Sequence, residues 1–247
     1  MMGLMVTYRP MSRKPVRGLF ITGTDTEIGK TYVAALIARS LVAAGHRVGV
    51  YKPAASGCSR QGDSLVPDDA LALWQAAGSP GTLEEVCPQI FAAPLAPHLA
   101  AAAEGKQLDA ALLRSGLDVW LEPSDVVLVE GSGGLMSPLG EDEFVADLAY
   151  DLGFPLVVVA RNALGTVNHV LQTLIAAATF RDGLNVAGIV LNETSARGAD
   201  LSLQSNASEI RRLAVPPLLA EIGYQASAFE PPVDWLNLAA PAERGSR

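Results

Sequence analysis

Short apolar runs alternate with longer amphipathic stretches along most of the chain. The apolar runs lie between turn-forming residues and are rich in Val, Leu and Ile, which is typical of parallel strands with two buried faces. They predict six strands, over residues 19–23, 48–51, 126–130, 155–160, 186–191 and 218–222. The stretches between them predict helices over residues 29–44, 68–77, 108–121 and 166–180. This alternation predicts an α/β fold, a doubly wound and mainly parallel sheet with helices on both faces.

The composition narrows the classes of partner. The 247 residues include 18 Lys and Arg against 26 Asp and Glu, a formal net charge of −8. An acidic chain argues against a general nucleic-acid binder, which needs a basic surface. Neither long uncharged stretch suits a membrane span, because residues 86–103 contain prolines and residues 162–180 contain Asn, His and Gln. Two cysteines without CxxC spacing suit a reducing cytoplasm. We expect a cytoplasmic protein with small-molecule partners.

The first residues differ in character from the rest. Residues 1–17 carry four basic residues and no acid, and they lack the apolar core of a secretory signal. They are interpreted as a disordered leader that precedes the fold. From residue 18 onward, we find no repeat, low-complexity tract or Gly/Ser linker, so residues 18–247 are predicted to form a single domain.

A glycine-containing segment joins the first predicted strand to the first predicted helix. Its sequence, GTDTEIGKT over residues 23–31, has the context of a phosphate-binding P-loop. Backbone N–H groups would face phosphate oxygens, Lys30 would reach the β and γ phosphates, and the Thr31 hydroxyl would bind Mg²⁺. The strict GxxxxGK[ST] pattern would place glycine at Thr24, one residue after Gly23. The segment predicts a nucleotide site and a P-loop NTPase-like three-layer sandwich.

Further candidate residues follow other predicted strands. Glu130 ends the third strand and is a candidate second anchor for Mg²⁺. Lys52 follows the second strand, where it is either a cation for an anionic reactant or an exposed surface lysine. Asp68 and Asp69 begin a predicted helix, where capping is the alternative to a metal role. The carboxyl ends of parallel strands form the ligand site in open α/β sheets, which favours a shared site.

These segments together resemble the dethiobiotin synthetase family over most of residues 18–225. The resemblance rests on seven segments in the same order: GTDTEIGKT (23–31), YKPAASG (51–57), DALAL (69–73), PH (97–98), VEGSGG (129–134), GTVNH (165–169) and VLN (190–192). The extra residue in the phosphate loop is the form that this family's motif takes. After strand six, the family often has proline and an aromatic residue where this chain has Gly223 and Tyr224.

The resemblance implies an ATP- and Mg²⁺-dependent ligase. Such an enzyme joins CO₂ to 7,8-diaminopelargonate and closes a ureido ring, which yields dethiobiotin, ADP and phosphate. One amine traps CO₂ as a carbamate, the γ-phosphate activates it as a carbamic-phosphoric anhydride, and the second amine closes the ring. The implied catalytic residues are Lys52, Lys30 and Thr26, and the implied metal ligands are Thr31, Asp69 and Glu130.

The resemblance also implies two sets of binding residues. The ATP site would comprise Glu27, Ile28, Gly29, Lys30, Thr31, Tyr32, Asp69, Glu130, Gly131, Ser132, Gly133, Asn192, Gly223, Tyr224 and Gln225. The substrate site would comprise Thr26, Lys52, Ser56, Gly165, Thr166, Val167 and Asn168. In the family, the last four of these come from a second subunit. A homodimer with shared sites is therefore implied.

Two other functions fit the same fold. One is an ATPase switch that dimerises on nucleotide binding, but such switches commonly carry an extra lysine early in the phosphate loop, and residues 23–28 have none. The other is an amidotransferase-linked ligase, which normally needs a glutaminase module that 247 residues leave little room for. Both remain alternatives to the function that the resemblance to dethiobiotin synthetases implies.

Overall fold

A six-stranded parallel sheet forms the centre of the molecule, in a computed structural model that describes residues 16–62, 64–196 and 200–239. Its strands are β1 (Arg17–Gly23), β2 (Val48–Tyr51), β5 (Val126–Gly134), β6 (Leu156–Arg161), β7 (Val186–Asn192) and β8 (Leu218–Ile222). Their order across the sheet is β2-β5-β1-β6-β7-β8. Two short strands, β3 (Ser59–Gln61) and β4 (Ser64–Val66), form a separate antiparallel pair. The predicted doubly wound α/β fold and its six strands are confirmed.

Helices connect the strands. They are α1 (Lys30–Ala43), α2 (Asp68–Ala76), α3 (Leu83–Val86), α4 (Pro97–Ala103), α5 (Leu112–Ser115), α6 (Asp118–Leu121), α7 (Val145–Leu152), α8 (Thr166–Thr179), α9 (Asn206–Leu213) and α10 (Trp235–Leu238), with a 3₁₀ turn at Leu201–Gln204. The predictions of α1, α2 and α8 are confirmed to within about two residues at each end. In the described ranges, no helix is long and apolar enough to cross a bilayer.

The prediction of one helix over residues 108–121 is wrong. The segment forms the short helices α5 and α6 instead, with Gly116 between them. A Cβ on Gly116 would lie 2.4 Å from the hydroxyl oxygen of Tyr51, and that hydroxyl donates a hydrogen bond to the carbonyl of Leu112 at 2.8 Å. Gly116 and Leu117 keep right-handed helical dihedral angles, so α5 and α6 are separated by a local irregularity at the point where the segment packs closely against strand β2.

The start of the fold differs slightly from the predicted boundary of the leader. Arg17 is the first residue of β1, and its guanidinium donates to the carbonyl of Leu236 at 3.1 Å. The Gly18 amide donates to the carbonyl of Ala239, so the segment after β8 returns to β1. Trp235, in this returning segment, is almost fully buried. The rest of the predicted leader, residues 1–15, lies outside the described residues, and a single domain over residues 18–247 stays a prediction.

The strand order determines where functional side chains meet. Strand β1 is buried on both faces, with Leu19, Phe20 and Ile21 at 0% exposure, as expected for a parallel sheet covered by helices. Because β5 lies between β2 and β1, the carboxyl ends of these three strands are neighbours. The segments that follow them therefore share one edge of the sheet, where ligands bind in this class of fold.

Candidate active site

The loop between β1 and α1 has the backbone of an anion cradle. Glu27 and Gly29 both adopt left-handed conformations, with φ of 57° and 86°, on either side of Ile28. Such alternation turns successive N–H groups toward one point, where an anion also meets the N-terminus of α1. Glycine is required at position 29 for a second reason, because a Cβ there would lie 2.2 Å from Nδ2 of Asn192. The backbone of the loop therefore has a shape suited to an anion such as phosphate.

The glycine at position 23 has a structural reason. A Cβ on Gly23 would lie 2.6 Å from Cδ1 of Ile28 and 2.8 Å from the carbonyl oxygen of Asp25, so the loop folds back onto this residue. The next residue, Thr24, continues the strand-like hydrogen bonding, since its amide donates to the carbonyl of Val159 at 3.0 Å. The close approach occurs one residue earlier than the strict motif would place it, which accounts for the displaced glycine.

A buried lysine lies between two carboxylates at the same edge. Nζ of Lys52 is 2.6 Å from Oε1 of Glu130 and 3.0 Å from Oδ2 of Asp69. The side chains of Lys52 and Glu130 are 4% and 0% exposed, whereas that of Asp69 is 56% exposed. Burial opposes the charge on Lys52, but Glu130 and Asp69 outweigh it and raise the pKa of Lys52 above its ordinary value. Lys52 is therefore a charged group inside the protein and not a surface lysine.

Asp69 interacts with Lys52 and does not cap α2. The N-cap of α2 is Pro67, and it makes no side-chain capping bond. Burial opposes the negative charge of Asp69, but the Lys52 ammonium outweighs this effect and lowers the pKa of Asp69. The structure therefore favours a role for Asp69 in the site over the capping alternative.

Oxygen donors suited to a divalent cation surround this cluster. The Thr31 hydroxyl donates to Oε1 of Glu130 at 2.8 Å. Oε2 of Glu130 is buried and has no hydrogen-bond partner among the described residues, so it can accept a further ligand. The described ranges contain no group of three or more His, Cys, Asp or Glu that could hold a metal unaided. Mg²⁺ typically takes one or two carboxylates and completes its shell with phosphate and water. Thr31, Asp69 and Glu130 therefore fit a nucleotide-bound Mg²⁺.

Lys30 extends back over the phosphate loop. Its Nζ lies 3.4 Å from the carbonyl oxygen of Asp25, and the residue is only 7% exposed. Burial lowers the pKa of Lys30 below its ordinary value, against an opposing effect of the Glu130 carboxylate. An anion bound in the cradle would counter this burial, which is the arrangement expected of a phosphate-binding lysine.

Asn192 ties the end of β7 to the phosphate loop. Its Nδ2 donates to the carbonyl of Ile28 at 3.0 Å. Its Oδ1 is buried and has no hydrogen-bond partner in the described part of the chain. An unpaired buried acceptor is costly, so Oδ1 is available to a donor on a ligand that enters from the cavity.

One cavity of about 590 Å³ joins these groups. The predicted residues that line it are Thr26, Glu27, Gly29, Lys30, Thr31, Tyr32, Lys52, Ser56, Asp69, Glu130, Ser132, Gly133, Asn192, Tyr224 and Gln225. Ile28, Gly131 and Gly223 lie outside this lining. Ile28 contributes its carbonyl to Asn192, and Gly131 is packed so closely that a Cβ would lie 2.8 Å from Val145.

The prediction missed three lining residues, Ala55, Glu193 and Thr194. Ala55 lies in the segment that follows β2, and the other two directly follow Asn192 at the end of β7. Their place directly after a strand was the available signal, because this sheet edge collects the residues that follow its strands.

Comparison with known proteins identifies the family. A family model described as an AAA domain matches residues 17–231. The ATP-dependent dethiobiotin synthetase of Anaeromyxobacter dehalogenans strain 2CP-C is 48% identical, over 80% of this chain and 86% of the relative. That of Rhodopirellula baltica is 43% identical, over 82% of each chain. The chain belongs to the dethiobiotin synthetase family. Its members are ATP-dependent ligases, so this chain is a ligase and uses a nucleotide.

Solved structures agree with the fold. A ParA family ATPase from Chlorobium tepidum superposes with a TM-score of 0.52 at 14% identity, over 85% of each chain. The signal recognition particle receptor FtsY of Elizabethkingia anophelis gives 0.51 at 14% identity, over 86% of this chain and 59% of that one. At such identity the likeness concerns the fold alone, and it confirms a P-loop NTPase-like sandwich for this dethiobiotin synthetase family member.

Four residues that the family resemblance assigns to substrate lie apart from the cavity. They are Gly165, Thr166, Val167 and Asn168, at the start of α8. Gly165 is the N-cap with φ of 93°, and it is exposed, as is Asn168. Further along α8, Gln172 and Thr173 line a second cavity of about 380 Å³ with Thr24 and Asp25 of the phosphate loop. The start of α8 therefore does not reach the main cavity of its own chain.

Proposed function

We propose that this protein carboxylates 7,8-diaminopelargonate with CO₂ and closes the ureido ring of dethiobiotin, with conversion of ATP to ADP and phosphate. The observation that supports this most directly is the buried Lys52 ammonium beside the phosphate cradle. A nucleotide switch has no evident need of a cation at the end of β2. A ligase that brings two anions together does need one.

The chemistry explains where positive charge is needed. The first amine of the substrate takes up CO₂ as a carbamate, and the carbamate oxygen then attacks the γ-phosphate, with ADP as the leaving group. Carbamate and γ-phosphate are both anions and repel each other. Lys30 neutralises the phosphates, while Lys52 holds the carbamate and stabilises charge that develops during phosphoryl transfer. Attack by the second amine on the anhydride closes the ring and releases phosphate.

Other residues of the cavity orient the reactants. Thr26 and Ser56 line the same cavity as Lys52, and their hydroxyls are suited to bind the diamine or the carbamate. Fixing both amines near the phosphate makes ring closure an intramolecular step with a large entropic advantage. Ser132 also lines this cavity, and its hydroxyl holds the segment after β2 in place by donating to the carbonyl of Ala54 at 2.9 Å.

Mg²⁺ belongs to the same proposal. Thr31, Asp69 and Glu130 would hold it, directly or through water, and its charge would neutralise the β and γ phosphates. The unpaired Oε2 of Glu130 and the hydroxyl of Thr31 support this assignment. The base of ATP would lie at the other end of the cavity, beside Asn192, Tyr224 and Gln225.

We also propose a homodimer that shares its sites. The start of α8 in one subunit would reach the substrate in the other, where N–H groups of Gly165 to Asn168 suit a carboxylate. Exposure of Gly165 and Asn168, away from their own cavity, supports this arrangement.

A cytoplasmic location without nucleic-acid or membrane partners is proposed on the acidic net charge and the two free cysteines.

A product assay tests the reaction. The protein is incubated with diaminopelargonate, ¹³C-bicarbonate, ATP and Mg²⁺, and products are measured by mass spectrometry. We expect dethiobiotin that carries one ¹³C atom, with ADP and phosphate in equal amounts. ATP hydrolysis without dethiobiotin would contradict the ligase and favour the switch.

A further inference from the structure

We propose that the hydroxyl of Tyr32 positions the turn at residues 223–226 as the wall against which the nucleotide base binds. Tyr32 would then act as a positioning residue for the base, separate from the phosphate cradle. This inference rests on the proposed location of the nucleotide, with its phosphates at Lys30 and its base near Asn192.

The contact joins two distant parts of the chain. Tyr32 lies in the first turn of α1, directly after Lys30 and Thr31. Its hydroxyl donates a hydrogen bond to the backbone carbonyl of Ala226, beyond the end of β8. The helix that begins at the phosphate cradle thereby holds the turn on the other side of the cavity.

The turn itself has a conformation that needs support. Gln225 has a φ of 58°, which is uncommon for a residue with a side chain. The amide of Ala226 donates to the carbonyl of Gly223 at 3.1 Å, which closes a tight turn. Tyr224 and Gln225, inside this turn, line the main cavity. The Tyr32 hydroxyl therefore stabilises the conformation that presents these two residues to a ligand.

The position of Tyr32 allows binding of the nucleotide base to be tested separately from binding of the phosphates. The phosphate cradle is held by its own backbone conformation and by the bond from Asn192 to Ile28, neither of which involves the Tyr32 hydroxyl. Removal of that hydroxyl should loosen the wall at the base and leave the cradle intact. A ligand with a base should be affected, and a ligand without a base should not.

The test compares ATP with inorganic tripolyphosphate on the full chain. Tyr32→Phe keeps the ring and removes the hydroxyl. By isothermal titration, we expect the Kd of a non-hydrolysable ATP analogue to rise about tenfold, while the Kd of tripolyphosphate changes less than about twofold. The KM for ATP should rise in the same way with little change in kcat. An equal loss for both ligands, or no loss for either, would overturn the proposal.

Tyr51→Phe is the matched control. It removes a similar hydrogen bond, from a tyrosine hydroxyl to the carbonyl of Leu112, at a residue outside the cavity lining. We expect it to lower thermal stability and leave the ratio of the two affinities unchanged; a changed ratio would overturn the proposal. The role of Tyr32 is tested by ligand binding and the ligase reaction by product formation, so the two proposals can fail independently. Failure of the ligase proposal would appear as a lack of dethiobiotin with the wild-type protein.

Discussion

Nζ of Lys52 lies 2.6 Å from Oε1 of Glu130, and both side chains are almost fully buried. The register of the sheet explains this pair. Tyr51 of β2 is opposite Val129 of β5, so the next residue along each parallel strand, Lys52 and Glu130, also comes side by side. Burial of two charges is costly unless they compensate each other. The pair therefore belongs to the fold as well as to the proposed chemistry.

Loss of one partner of this pair should destabilise the protein. Glu130→Gln leaves the buried Lys52 ammonium with the half-exposed Asp69 as its charged partner, and we expect a loss of about 3 kcal/mol in the free energy of unfolding. The double variant Lys52→Met, Glu130→Gln removes both charges and should recover most of this loss. Urea unfolding of both single variants and the double variant measures the coupling. Additive losses would show that the pair is not coupled.

Gly29 and Gly45 have the same backbone conformation, so Gly45→Ala is a control for the backbone strain that Gly29→Ala introduces into the phosphate cradle. Gly29 and Gly45 have φ of 86° and 87°. A Cβ on Gly29 would lie 2.2 Å from Nδ2 of Asn192, whereas a Cβ on Gly45 would have no atom within 4 Å among the described residues. Gly45→Ala should lose about 1 kcal/mol of stability through backbone strain alone, and Gly29→Ala should lose more, because its Cβ must also displace the Asn192 amide. We expect Gly29→Ala alone to lose nucleotide binding, measured by titration. Normal binding by Gly29→Ala would contradict the assignment of the cradle.

Lys30 is expected to contribute chiefly to turnover. Lys30→Ala removes a buried charge whose pKa is already lowered by burial, so the fold should persist with little change in melting temperature. Dethiobiotin formation should fall by about 10²- to 10⁴-fold, because a phosphate-neutralising contact is lost. Near-normal product formation by the folded variant would remove Lys30 from the site.

The ion pair between Arg47 and Asp125 should make stability depend on pH in acid. Hydrogen bonds from Arg47 lower the pKa of Asp125 to about 2, against about 3.9 in an unfolded chain. Because the pKa of Asp125 is lower in the folded protein, the pair stabilises the fold above about pH 4, and this contribution to the free energy of unfolding is lost as pH falls toward 2. At pH 7 the free energy of unfolding of the wild type should be slightly larger than that of Asp125→Asn, because an exposed ion pair contributes little. A gap of equal size at pH 7 and pH 2.5 would contradict this.

The six strands could be predicted because parallel strands buried on both faces are continuous apolar runs. The β3–β4 pair could not, because its strand residues are exposed or half-buried and form no apolar run. Helix α7 also escaped prediction. It is short, and its start depends on a hydrogen bond from the Phe144 amide to Asp147 at 2.9 Å. Short elements of this kind are defined by few residues, so periodicity gives them little signal.

The site shows a similar division between local and distant determinants. Lys30, Lys52 and Glu130 could be predicted to share an edge, because Glu130 ends a predicted parallel strand and the two lysines lie in segments that follow such strands. In the structure, β5 continues beyond Glu130 to Gly134. The choice between capping and a metal role for Asp69 could not be made from the neighbouring sequence alone. It depends on the ammonium of Lys52, 17 residues away in sequence, which reaches Asp69 across the cavity. The bond from Tyr32 to Ala226 joins residues 194 positions apart and has no local signal at all.

The proposed role of Lys52 in the ligase is tested most directly by Lys52→Gln, which keeps much of the side-chain length and removes the charge. ATP-analogue affinity by isothermal titration and dethiobiotin formation by mass spectrometry are measured on the same preparation. We predict that nucleotide affinity stays within about threefold while dethiobiotin formation falls by about 10²-fold or more, as expected for loss of a transition-state contact. Unchanged product formation, or an equal loss of binding and product formation, would contradict a role for Lys52 between the carbamate and the γ-phosphate.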